Sequence, residues 1–171
     1  MASAPARNPA VAETMHLLPP QQTRRASIAG EIARYLGAVS ILLVGAVHAQ
    51  QYYAAYFSFV PTIGTLFLLS FVGAGITGAV LLTPVRRFGR AAGDLVLVLA
   101  ALGAIGIAVG SLASLLISEY TPLFGFMESG YRLAVVLAIV FDSLTAVFLG
   151  AFVLIVGRPL VHTITTERRA R

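Results

Sequence analysis

Asp142 is the residue most out of place in this chain. It lies in the apolar run VLAIVFDSLTAVFLG, ten residues after Arg132. That is ~15 Å along a helix rising about 1.5 Å per residue. An acid at the centre of a membrane helix costs roughly 2.5–3.5 kcal/mol on insertion scales, so it marks a functional site by default. Ala134, Ala138, Ala146 and Gly150 share its four-residue spacing. A stripe of small residues faces other helices in a membrane bundle, so Asp142 is expected to point inward.

His48 is the second candidate. It ends the run VGAVH, fourteen residues after Arg34, or ~21 Å along a helix. This places it about one turn nearer the far surface than Asp142. An Asp142–His48 pair is within reach and would be a proton-handling site. Ser70, Thr77 and Ser111 are the other candidate partners of the acid. The alternative role for Asp142 is a hydrogen bond that holds two helices together, with no chemistry.

A third grouping is His48 with Glu119 and Glu128. These side chains suit a metal ion, and both glutamates fall on the histidine's side of the chain. They lie on separate segments without the fixed spacing of a metal motif. A histidine bonded to a neighbouring helix is the simpler expectation. One membrane histidine cannot provide paired haem ligands, so no cofactor is expected.

These residues need elements to position them, and composition says which. Of 171 residues, 58% are hydrophobic and 11% charged, against about 25% charged in a typical soluble domain. The apolar residues come in blocks, each long enough to cross a ~30 Å hydrocarbon core. Backbone in lipid must satisfy its own hydrogen bonds, so the blocks are helices. The spacing predicts helices over about 33–53, 62–83, 94–118 and 131–156, within a transmembrane domain of residues 29–158. Pro84 and the Gly157–Pro159 stretch are read as helix stops. Residues 1–28 and 159–171 are read as cytoplasmic tails, the first disordered. Glu13, Glu31 and Glu167 are placed in solvated tail sequence, and Asp94 is read as the cap of the third helix. The fold class is therefore all-α: a polytopic four-helix transmembrane bundle.

The twelve positive charges are all arginines. Eleven flank the termini or the middle loop, and only Arg132 lies on the other side. The positive-inside rule then puts both termini in the cytoplasm. Beside apolar blocks, the net charge of +5 points to a membrane surface, and no nucleic-acid partner is expected. Val47-His48-Ala49 also fits the small-residue pattern read by signal peptidase. The charged region before it is too long for a signal peptide, so an uncleaved anchor is expected. Cysteine is absent, which removes disulfides and thiolate chemistry. The two outer connections, YYAAYFSFVP and EYTPLFGFMESGYR, are aromatic and suit the lipid headgroup zone. Each contains Pro-x-x-Gly, which hints at two duplicated hairpins.

His48, Tyr56, the Pro61-x-x-Gly64-x-Leu66-Phe67-Leu68-Leu69 run, the Leu123–Phe126 loop and the acid of the last helix carry a resemblance. Across most of residues 34–157 the chain resembles a group of uncharacterised four-helix integral membrane proteins of actinobacteria. It departs from them in the Ala49-Gln50-Gln51 that follows His48. The resemblance implies a bacterial plasma-membrane location and the same fold, and it implies no activity.

Three functional expectations follow. The first is a non-enzymatic accessory or assembly subunit of a membrane complex, whose partners are the bilayer and a larger membrane protein or a second copy. The second is a small proton-coupled carrier built on Asp142, His48 and Ser70. The third is a metal-handling protein using His48, Glu119 and Glu128. No phosphate loop, metalloprotease helix or nucleophile elbow occurs, so an enzyme is not expected. A dry, packed Asp142 favours the first reading, and a polar cavity reaching one face favours the second.

Overall fold

The computed structural model describes the backbone of residues 20–55, 57–125 and 132–169, and the side chains of 25–55, 57–125 and 132–156. Among these, four long helices follow one another: α1 Pro20–Tyr53, α2 Pro61–Leu82, α3 Arg90–Tyr120 and α4 Leu133–Arg169. All four are long and apolar enough to cross a membrane. Short 3-10 turns at Phe57–Phe59 and Val85–Phe88 lead into α2 and α3.

The helices run up and down. α1 packs on α2 and α4, α3 packs on α4, and the α2–α3 seam is the lightest. Glycines let the backbones approach. A Cβ on Gly37 would strike the Leu149 side chain, and one on Gly78 would lie 2.6 Å from Leu42. These pairings put the start of α1, the end of α4 and the 83–89 turn at one end of the bundle. The end of α1, the start of α2, the end of α3 and the start of α4 lie at the other. We call these the terminal end and the loop end.

Helix α2 begins and ends within one residue of expectation, because Pro61 occupies its first turn and Pro84 follows it. α1 also ends at Tyr53, as expected; the remaining boundaries differ. α1 starts at Pro20, so residues 20–28 are helical; residues 1–19 lie outside the described residues. Hydropathy marks only the part of a helix that meets lipid. The preceding Gln-Gln-Thr-Arg-Arg-Ala sequence is rich in good helix formers and carries the helix beyond it. The backbone of α4 stays helical through Pro159 to Arg169, since a proline forfeits one backbone bond and can kink a helix without ending it. The two Pro-x-x-Gly segments differ as well. Pro61 opens a helix, whereas Pro122 precedes a turn with Phe124 at φ 52° and Gly125 at φ 81°. That difference gives the duplication no support.

Two readings of single acids are corrected. Asp94 does not cap α3, whose N-cap is Gly89 without a side-chain bond; it sits inside the first turns and accepts from Arg86 Nε. Glu31 is not in a solvated tail. It is half-buried in α1 and accepts from both Arg34 and Arg86. The long extension of α1 brings it there, and a composition window that ends at the apolar block misses it.

The core is lopsided. Its main cluster of buried apolar residues is Ala33, Ala38, Ile41 and Val44 on α1, Ala74 and Leu81 on α2, Leu97, Ala101 and Ala104 on α3, and Leu149 and Phe152 on α4. Antiparallel packing gathers most of this cluster toward the terminal end, whereas Phe57, Ile63, Ala108 and Val135 are buried nearer the loop end. The loop-end half holds a cavity instead.

Candidate functional site: a cavity above a buried acid

The cavity has a volume of about 320 Å³ and lies among all four helices. α1 contributes His48 and Gln51, α2 Phe67 and Ser70, and α3 Ser111, Ser114 and Ser118. Ala134 and Ala138 of α4 complete the wall, so the small residues predicted to meet other helices leave a hollow in this half. Leu123 and Arg132 belong to its loop-end rim.

At the floor, His48 is 6% exposed. Its Nδ1 lies 2.9 Å from the Val44 carbonyl oxygen. That carbonyl can only accept, so Nδ1 carries the proton, and in the neutral ring Nε2 is an acceptor. The Ser111 hydroxyl stands 3.4 Å from Nε2, at the long limit of a hydrogen bond. The ring of Phe67 packs against the imidazole at 5.4 Å between centroids, and Phe57 packs against Phe67 at 5.1 Å. Gly64 permits that arrangement, because a Cβ there would lie 2.5 Å from the Phe57 carbonyl oxygen.

Asp142 is completely buried but does not line the cavity. It sits where the packed half meets the hollow one. Neither carboxyl oxygen has a hydrogen-bond partner, and neither does the hydroxyl of buried Thr145 three residues on. Ser111 of α3 is near enough to act on the carboxyl as a hydrogen-bond donor, though its geometry falls short of a closed hydrogen bond. Ser111 therefore stands between His48 and Asp142, and the expected direct pair is not formed. Of the other candidate partners, Thr77 donates to the Gly73 carbonyl of its own helix at 2.8 Å. Ser70 faces the cavity. Among the described residues no hydrogen bond to the Asp142 carboxyl is closed. Burying such a group costs about 1–3 kcal/mol.

The terminal end is closed by ions. Arg34 is 4% exposed. One of its guanidinium nitrogens donates to the Leu81 carbonyl at 2.7 Å and another to Glu31 at 2.7 Å. Leu81 lies in the last turn of α2, where carbonyls lack helical partners and a cation suits the dipole. Arg86 bridges Glu31 and Asp94, tying α1 to the 85–88 turn and α3. Burial alone would lower the Arg86 pKa, but its bonds to Asp94 and Glu31 outweigh this and raise it. In the sequence these residues read only as topology charges and a cap. The Glu31/Arg34 pair at i, i+3 was the one visible signal.

Glu119 is half-buried near the end of α3. Glu128 lies outside the described residues. Among the described residues no three His, Asp or Glu side chains come together as a metal site. No protein-family model, no curated protein and no solved structure matches this chain.

Proposed function

We propose that this chain is a small carrier of a bacterial plasma membrane, with both termini cytoplasmic and Asp142 as the coupling acid. The carrying observation is the position of Asp142. Asp142 itself is dry, as an accessory subunit would have it, but it lies at the boundary between a packed, ion-closed half and a half hollowed by a partly polar cavity, and that cavity favours the carrier. A carrier caught open to one side has this asymmetry: a floor beneath the site, a sealed far end, and an ionisable group behind the floor. The arginine bias assigns the ion-closed end to the cytoplasm, and the resemblance noted above supports the bacterial membrane.

Orientation is tested by cysteine substitution, which is clean because the chain has none. Ser58 and Thr83 are both exposed and lie at opposite ends. Ser58→Cys is expected to react with an impermeant thiol reagent added outside intact cells, and Thr83→Cys is not. The reverse pattern overturns the assignment.

Carrier action is tested at two further positions. Ser114 lines the cavity, whereas Ala101 is fully buried in the packed half. Ser114→Cys is expected to label from outside. Ala101→Cys is expected to label, more slowly, from the cytoplasmic face, because a carrier must open that half in turn. If Ala101→Cys stays inert from the cytoplasm while Ser114→Cys labels, the cavity is static and the carrier reading fails.

One observation favours the accessory-subunit reading instead. Gly106 and Gly110 of α3 are exposed, and a Cβ on either would meet nothing within 4 Å. Such a surface accepts a neighbouring helix closely.

A further inference from the structure

We propose that the cavity binds an uncharged, lipid-soluble phenol. Its hydroxyl is held at His48 and Ser111, and its hydrocarbon tail leaves sideways between α2 and α3. This deepens the carrier reading by naming the cargo class, and it rests on the cavity being that carrier's loaded site.

The side opening follows from the α2–α3 seam. In the packed half the seam is closed. A Cβ on Gly73 would lie 2.9 Å from Ile107, and one on Gly103 would lie 3.5 Å from Thr77. Towards the loop end the two helices part. Leu66 of α2 and Gly106 and Gly110 of α3 all line the cavity, and all three are exposed. In a membrane that opening faces hydrocarbon. Glycine in a helix is about 1 kcal/mol worse than alanine. Among the described residues nothing lies within 4 Å of a Cβ at Gly106 or Gly110.

The head group follows from the floor. His48 Nε2 presents a lone pair and Ser111 presents a hydroxyl, 3.4 Å apart. One ligand hydroxyl placed between them donates to the nitrogen and accepts from the serine, replacing a long bond with two ordinary ones. The rings of Phe57 and Phe67 flank this point and suit a flat ring. An anion is disfavoured, because the imidazole offers an acceptor and Asp142 lies behind Ser111. A cation is disfavoured by the mostly apolar lining. The volume of about 320 Å³ is at the small end of ligand sites of about 300–1,000 Å³. It holds a ring and leaves a long tail outside.

The test uses the full chain in lipid nanodiscs with isotope-labelled histidine rings. The probes are para-dodecylphenol and its methyl ether, which keeps the ring and tail but cannot donate. The phenol is expected to shift the ring-nitrogen resonance of His48, assigned by its loss in His48→Phe. The ether is expected to bind about tenfold more weakly, the equivalent of about 1.4 kcal/mol. Ser111→Ala is expected to narrow that preference. Gly110→Leu, whose Cβ meets nothing within 4 Å among the described residues, is expected to weaken the phenol by blocking the tail. Equal binding of phenol and ether means that the cavity holds any acyl-like filler, and it overturns the proposal. So does a resonance that neither probe moves. Binding is read without transport, so this proposal and the carrier reading fail separately.

Discussion

Asp142→Asn is expected to fold and accumulate like the wild type while losing the exchange between the two open states. Asparagine keeps the size of the side chain but cannot ionise. The wild-type carboxyl oxygens make no hydrogen bonds, so the fold loses none in the exchange. The readout is the ratio of cytoplasmic to external labelling at Ala101→Cys and Ser114→Cys. A coupling of about 1–3 kcal/mol moves such a ratio by roughly 5–150-fold, and a shift of that size is expected. Asp142→Val removes the orphaned polar atoms altogether at similar volume. It is expected to match or exceed wild-type stability by up to about 3 kcal/mol, the upper cost of a buried unsatisfied group, and to be equally inactive. Loss of folded protein in Asp142→Asn would show that the charge itself is structural. An unchanged labelling ratio would remove Asp142 from the mechanism.

Glu31→Leu is expected to produce the largest loss of stability of any single change at the terminal end. The substitution strips the counter-ion from Arg34, which is buried and keeps only the Leu81 carbonyl as a partner. It also releases Arg86 from α1. Breaking a buried pair by removing one partner costs about 3–5 kcal/mol. Glu31 keeps 32% side-chain exposure, so the lower end of that range, about 3 kcal/mol, is expected. The measurement is helical unfolding of the purified protein in mild detergent. Because the penalty comes from the stranded guanidinium, adding Arg34→Leu is expected to restore most of the loss. A Glu31→Leu protein as stable as wild type would mean that the network closes nothing. The same variant is expected to label faster at Ala101→Cys from the cytoplasm, since the ions hold that end shut.

That the chain holds four helices long and apolar enough to cross a membrane was legible in its residues for a simple physical reason. A ~30 Å hydrocarbon layer demands about 20 apolar residues per crossing, and that demand is local. It can be read one segment at a time, as can the prolines that delimit α2. The depth of Asp142 and His48 followed from the same counting. Helix ends beyond the apolar blocks were not legible, because polar residues such as those of 20–28 propagate a helix without marking it. Side-chain partners were not legible either, since they depend on rotation about each helix axis and on which helices are adjacent. A small residue looks the same in the sequence whether a neighbouring helix meets it or not. Only the packing decided that Gly37 and Gly78 close the terminal half, whereas Gly106 and Gly110 border an opening. Only the packing put Ser111 between His48 and Asp142, and only it made Glu31 the bridge between two arginines. Distances across a bundle are set by several helices at once, and no single segment carries that information.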